Sequence, residues 1–181
     1  MKVLETDRLA LRPFTPEDAA FILRLLNESA FFQYIGDKGV RTLEQAAGYL
    51  RDGPIRSYEL HGHGLMRVEL KETGQAIGMC GLLRRKPDQD PDLGYAFLPE
   101  AWGQGYALEA AKCALETGAG LLGFQRILAL VMPGNVRSIR LLEKIGFTWV
   151  GTTPLHPDEP PDSVYEWSPG GPARPPAPFR E

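Results

Sequence analysis

The sequence predicts an α/β (α+β) domain built on a mixed sheet that carries helices on both faces. Three observations predict it. Segments with two-residue alternation recur along the chain, stretches with apolar residues at helical spacing fall between them, and the resulting order, β-α-α-β-β-β-α-β-α-β-β, shows no internal repeat. With 181 residues, 43% hydrophobic and 24% charged, the chain has the length and composition of one domain with a sizeable core.

Residues 8–14 (RLALRPF) set Leu9 and Leu11 against Arg8, Ala10 and Arg12, an edge-strand pattern that Pro13 ends. Thr15-Pro16-Glu17-Asp18 is a helix start: a hydroxyl cap, proline at the first position and acids in the first turn. Phe21, Ile22, Leu25 and Leu26 follow at helical spacing. Thr42-Leu43-Glu44-Gln45 matches a capping box and opens a second helix, expected to stop near Gly53-Pro54. Met66, Val68 and Leu70 alternate with Arg67 and Glu69, and a turn from Lys71 to Gln75 joins them to AIGMCGLL, apolar on both faces. The segment from Arg85 to Pro91 reads as a loop, and Leu93 to Leu98 as a strand that Pro99 ends. A helix is expected from about Gly103 to Leu122, a central strand over 126–132, a helix from Asn135 to Ile145 with Gly146 as its left-handed cap, and final strands at 147–150 and 163–167. Trp149, Trp167 and Phe124 read as core. The segment 168–181, SPGGPARPPAPFRE, is too rich in proline and glycine to pack and reads as a disordered tail behind one domain over 1–167.

A net charge of −3 and a pI near 5.7 argue against a protein whose main work is gripping nucleic acid through a basic face. Cys80 and Cys113 have neither CxxC spacing nor a disulfide framework, and they read as buried thiols in a reducing compartment. No apolar run has the length of a signal peptide or a membrane span, so the expected setting is cytoplasmic, away from membranes.

The most informative segment is LGYAFLPEAWGQGYALEA, residues 93–110. A strand runs into Gly103-Gln104-Gly105, which opens a helix. Glycines let the backbone approach a ligand, and the free N–H groups and helix dipole favour an anion, most naturally a pyrophosphate. A dinucleotide-binding unit would need a third small residue where Leu108 stands, an early position in the chain and an acid ending the next strand, which instead ends at Met132-Pro133. The second informative segment, NVRSIRLLEKIGF (135–147), caps a helix with Asn135 and places Ser138 one turn on along the same face. Taken alone these are a cap and a small packing residue, or two polar groups addressing the far end of a ligand.

Together and in this order, ETDRLALRPFTPEDA, ETGQAIGMCGL, LGYAFLPEAWGQGYALEA and NVRSIRLLEKIGF resemble the GNAT superfamily of N-acetyltransferases, in the branch that includes the ribosomal-protein N-terminal acetyltransferases. The resemblance extends to about Trp167. It implies a mostly antiparallel twisted sheet of six to seven strands, splayed between the strands at 93–98 and 126–132. It also implies transfer of an acetyl group from acetyl-CoA to a primary amine, by direct attack in a ternary complex, with no metal.

The family's phosphate loop, R/Q-x-x-G-x-G/A, falls on Trp102, Gly103, Gln104, Gly105, Tyr106 and Ala107, with Trp102 replacing the usual Arg or Gln. The resemblance further implies that Ala96, Phe97 and Leu98 pair with the pantetheine amides, that a backbone N–H there steadies the oxyanion, and that Asn135 and Ser138 lie near the thioester and pantetheine. Many relatives carry a tyrosine, as general acid for the thiolate, where this chain has Leu142; Ser138 is the nearest replacement. For the general base, Asp92 is the first candidate, followed by Glu69 and Glu166; each also reads as a solvated acid. Tyr95 is a candidate substrate contact or a core aromatic.

His61-Gly62-His63-Gly64 lacks the further ligands of a metal site and reads as a surface loop. Cys113 reads as packing. Two rival functions stand beside the transferase: a GNAT module that holds CoA without turnover, and an acyltransferase for longer acyl-CoA. The acceptor, a small-molecule or peptide amine, is expected to meet the helices between Thr15 and Gly53 and the loop from Pro154 to Asp162. The chain is expected as a monomer or homodimer.

Overall fold

The computed structural model describes residues 2–85, 89–154 and 160–171. Eight strands form one sheet: β1 (Leu4–Glu5), β2 (Leu9–Pro13), β3 (Leu65–Leu70), β4 (Ala76–Leu83), β5 (Asp92–Phe97), β6 (Ile127–Val131), β7 (Thr148–Thr153) and β8 (Asp162–Trp167). Their spatial order is β1-β2-β3-β4-β5-β6-β8-β7, and every neighbouring pair is antiparallel except β5–β6. The eighth strand, beyond the six to seven expected, is β1, whose two residues are too few to show alternation. Among the described residues six α-helices accompany the sheet: α1 (Ala19–Leu26), α2 (Ser29–Tyr34), α3 (Leu43–Leu50), α4 (Arg56–His61), α5 (Tyr106–Gly120) and α6 (Val136–Lys144).

Strand alternation divides the apolar residues between two layers. Leu9, Leu11, Met66, Val68, Leu93 and Phe97 pack with Ala110, Ala111, Ala114 and Leu115 of α5 and Leu142 of α6. On the opposite face Leu65, Met79 and Leu98 pack with Ile22, Leu25, Phe31, Ala46 and Leu50 from α1, α2 and α3. The alanine stripe of α5 lets this helix lie close to the sheet, which fixes where its N-terminus points.

Local signals explain most boundaries. Thr42 caps α3 as expected: its hydroxyl accepts from Gln45 N–H at 3.2 Å, and Gln45 Oε1 accepts from Thr42 N–H at 3.1 Å. The expected stop at Gly53-Pro54 is not observed. The chain passes through a wide turn, Arg51–Ile55, directly into α4. A turn opened by one residue relieves the clash that the buried Pro54 ring would otherwise make with the carbonyl one turn back. α5 begins at Tyr106 rather than near Gly103, because Gly103 (φ 74°) and Gly105 (φ 82°) take left-handed conformations. α2 was not foreseen, having only Phe31 buried. Trp149 was expected in the core, yet it is 59% exposed, on β7 at one edge of the sheet. Of the tail 168–181, residues 172–181 lie outside the described residues, as do 155–159 of the loop before β8.

One polar cluster ties β2, β3 and the turn before α1 together. Asp18, 3% exposed, accepts from Arg12 Nη1 at 2.8 Å, Arg12 Nη2 at 2.7 Å, Thr15 N–H at 2.9 Å and Arg67 Nη1. Arg12 Nε also donates to Glu69 at 2.8 Å. Arg67 Nε lies 2.8 Å from the same carboxylate without hydrogen-bond alignment, so that contact is ionic only.

Candidate active site

β5 and β6 pair through a single parallel rung, Asp92 against Leu128, with Leu128 N–H donating to Pro91 C=O at 2.9 Å. Beyond that rung the strands diverge, which is the expected splay. β5 therefore has a free edge, and alternation decides which groups it offers. Leu98 N–H donates to Ile77 C=O on β4 at 2.9 Å, so the polar groups of Leu98, and of Ala96 two residues before, face β4. Those of Tyr95 and Phe97 face the gap. Of the expected pantetheine-pairing residues Ala96, Phe97 and Leu98, only Phe97 offers its backbone there, and Tyr95 joins it. Phe97 C=O is already taken by the Trp102 indole N–H at 2.9 Å.

At the open end of the splay stands the loop from Trp102 to Ala107. Glycine is required at 103 and 105 by the positive φ values, and no side chain caps the N-terminus of α5. The amides leading into the helix thus lack side-chain partners and lie at the positive end of a 15-residue dipole. A Cβ built on Gly103 meets nothing within 4 Å, so the loop is open to a ligand. Such amides can receive an anion, and the neighbouring splay offers strand-like hydrogen bonding. The pair fits the pyrophosphate and the amide-bearing arm of a CoA thioester.

The loop is braced from β2. Arg8 donates from Nε to Glu109 at 2.7 Å and from Nη1 to Gln104 C=O at 3.0 Å, and its guanidinium lies 4.6 Å from the Tyr106 ring centroid. Thr6 Oγ1 and Arg8 N–H also donate to Glu109, at 2.6 and 3.0 Å. Trp102, in place of the family's Arg or Gln, is 40% exposed and has the Arg137 guanidinium 4.9 Å over its ring, so the loop and α6 touch at the mouth. The Arg8 brace was missed, since only the fold brings residues 8 and 109 together.

Across the gap from β5, Asn135 caps α6 as expected, its side chain accepting from Ser138 N–H at 3.2 Å. Ser138 faces β5, and its hydroxyl lies 2.6 Å from the Tyr95 hydroxyl. Tyr95 therefore reaches across from β5 to α6 rather than standing free for substrate. Burial pushes its phenol up to about 12, against the opposing effect of the Ser138 bond. Leu142 is buried beneath α6.

All three acids considered as base are ion-paired. Glu69 belongs to the Arg12–Asp18–Arg67 cluster, Glu166 accepts from Arg126 Nε at 2.7 Å, and Asp92 is gripped by Arg85 through Nε and Nη2 at 3.0 and 2.9 Å. Asp92 differs in one respect. It is 3% exposed, and burial raises its carboxyl above the ordinary range despite the charge and hydrogen bonds of Arg85. Its side chain points to the α1–α4 face of the sheet. There, a depression of about 360 Å³ lies between α3, α4 and the ends of β3 and β4, lined by Tyr49, Asp52, Ser57, Leu60, Leu65 and Leu83.

His61 and His63 do not form the expected surface loop. Gly62, at φ 72°, ends α4, and His63 is buried with Nδ1 2.8 Å from Leu82 C=O. Among the described residues no group of three or more His, Cys, Asp or Glu side chains is placed to hold a metal ion, and no helix is long and apolar enough to cross a membrane.

Residues 8–148 match the family model described as acetyltransferase (GNAT) domain, which spans more than half of the chain. The chain belongs to the GNAT acetyltransferase family. It is 33% identical to the uncharacterised N-acetyltransferase YoaA of Bacillus subtilis strain 168, over 80% of this chain and 82% of that one. An acetyltransferase from Agrobacterium tumefaciens strain C58 superposes with a TM-score of 0.76 at 28% identity, covering 92% of this GNAT chain and 94% of its counterpart. The ribosomal L7/L12 α-N-protein acetyltransferase RimL, solved in complex with coenzyme A, superposes with a TM-score of 0.80 at 14% identity over 92% and 98% of the two chains, a likeness of fold. A GNAT acetyltransferase is an acyltransferase, and this family uses acetyl-CoA.

Proposed function

We propose that this protein transfers an acetyl group from acetyl-CoA to a primary amine, on a small molecule or a peptide N-terminus, within a ternary complex. The observation that carries this reading is the splay of β5 from β6, opening at one end onto the uncapped N-terminus of α5. The amides of residues 103–107 take the pyrophosphate, and the free edge of β5 at Tyr95 and Phe97 takes the pantetheine amides. The same edge presents N–H groups to oxyanion charge. Ser138 and Asn135, across the gap on α6, address the sulfur end, with Ser138 donating to the departing thiolate.

The amine approaches from the α1–α4 face, where the depression beside Leu65 and Leu83 and the Asp92 carboxylate lie. Asp92 sits three residues, about 10 Å along the strand, from Tyr95, so it draws the ammonium proton through water. Its raised pKa brings it toward the value a base needs at neutral pH. The reading also places one domain over 1–167 and the protein in the cytoplasm, where Cys80 and Cys113 remain thiols.

Release of free CoA thiol, measured with purified protein, acetyl-CoA and a panel of amines, tests the proposal. Amine-dependent release supports it, and acetyl-CoA binding without release for any amine would leave a CoA-holding module instead. Asp92→Asn should lower kcat at neutral pH by about 100-fold with little change in the KM for acetyl-CoA. A loss below about threefold in the folded variant would remove Asp92 from the base role. Ser138→Ala should reduce kcat by about tenfold and leave acetyl-CoA affinity within about twofold; equal losses in both would make Ser138 a binding group only.

A further inference from the structure

The hydroxyls of Tyr95 and Ser138 lie 2.6 Å apart, joining β5 to α6 just beyond the rung where β5 and β6 part. Odd-numbered side chains of β5 face the α5–α6 layer: Leu93 and Phe97 fill the core there, while Tyr95 extends far enough to meet the first turn of α6. Ser138 is held on its other side by Asn135, whose side chain accepts from its backbone N–H. Its hydroxyl is therefore placed by a cap below and a phenol beside it.

Two hydroxyls that share one hydrogen bond use one hydrogen in it and leave the other free. The phenol is the more acidic of the two, so it is the better donor, and burial keeps it protonated at neutral pH. The Tyr95 hydroxyl also lies 3.4 Å from Ser138 C=O, but the 2.6 Å contact to Oγ is much the shorter; with Tyr95 donating there, Ser138 Oγ acts as acceptor and its own hydrogen turns away from Tyr95. Donor–acceptor chains of this kind polarise one another, so a serine that accepts from a phenol donates more strongly.

We propose that Tyr95 is a positioning residue that holds the Ser138 hydroxyl with its hydrogen directed into the splay, toward the sulfur of the acyl donor. This rests on the acetyltransferase reading given above. In the transfer, the bond from amine nitrogen to acetyl carbon forms and the carbon–sulfur bond breaks, with its electron pair passing to sulfur. The ammonium proton leaves through water. Ser138 contributes a hydrogen bond to the sulfur as that charge grows, and Tyr95 supplies the orientation. The arrangement provides from a neighbouring strand what the tyrosine missing at position 142 would have provided from the helix.

A double-mutant cycle tests the proposal, with kcat, KM and acetyl-CoA affinity measured for the unsubstituted protein, Tyr95→Phe, Ser138→Ala and the pair. Tyr95→Phe keeps the ring and its packing. It should lower kcat by about five- to tenfold and leave acetyl-CoA affinity within about twofold, and in the Ser138→Ala background it should cost less than about twofold. Ser138→Thr, which keeps the hydroxyl, should retain most of the rate and most of the sensitivity to Tyr95→Phe. Multiplying losses, an unchanged kcat for Tyr95→Phe, or a fall in affinity equal to the fall in kcat would each overturn the positioning role while leaving the transferase intact. Absence of thiol release from the unsubstituted protein would overturn the acetyltransferase reading itself, and the positioning role with it.

Discussion

Gly105→Glu is expected to weaken acetyl-CoA binding by more than about 100-fold without unfolding the protein. Gly105 adopts φ 82° immediately before α5, where a side-chain-bearing residue costs about 1–2 kcal/mol. A glutamate there also carries its charge into the cradle. Its carboxylate would satisfy the helix-terminal amides that a phosphate would otherwise use, and it would repel any phosphate that entered. Arg8 Nη2 lies 3.4 Å from a Cβ built at this position, but it is shared with Glu109 and offsets only part of the added charge. Gly105→Ala separates the two effects, since it carries the backbone strain alone and should weaken binding by about tenfold or less. Calorimetric titration with acetyl-CoA, alongside thermal melting, reads both variants. A folded Gly105→Glu protein with unchanged affinity would remove the phosphate from this loop.

Asp18→Ala should cost about 3–5 kcal/mol of stability, because it strands the half-buried cations of Arg12 and Arg67 without their shared carboxylate. For a chain of this length that is a fall in Tm of about 6–20 °C. A change below about 2 °C would show the cluster to be ornamental. The same group sets an acid limit. Burial raises its pKa, but the bonds from Arg12, the Thr15 amide and Arg67 outweigh burial, and the carboxyl lies below its ordinary value. A depressed carboxyl stabilises the fold fully above the unfolded value of about 3.9 and loses that contribution as pH falls through the folded value. Stability should accordingly drop on acidification below about pH 4, and less steeply in Asp18→Asn.

These two positions mark what the sequence could and could not show. The glycine loop before α5 was legible because its requirements are local: glycines with positive φ, a helix opening without a cap, and a strand before it. The order of strands, the hairpin of β3 and β4 and the Asn135 cap were legible for the same reason. Glu69 was not, since its partners Arg12 and Asp18 reach it only when β2 pairs with β3, and a carboxylate in an alternating strand looks the same whether it is solvated or bound. The choice of Phe97 and Tyr95 over Ala96 and Leu98 as the free edge depends on register against β4, which no single strand encodes. Tyr95 carried a usable signal, because it shares the parity of Leu93 and Phe97 and so had to face the α5–α6 layer. Its meeting with Ser138 depended on how closely α6 approaches β5. Pro54 shows the reverse error, in which a strong local breaker was absorbed by a widened turn that tertiary packing holds in place.

The most direct test of the central claim is calorimetric titration of the purified, unsubstituted protein with acetyl-CoA, with NADH as the control. The account predicts stoichiometric binding of acetyl-CoA, weakened by Gly105→Glu, and no heat from NADH. Binding of NADH, or silence with acetyl-CoA from a folded protein, would contradict it.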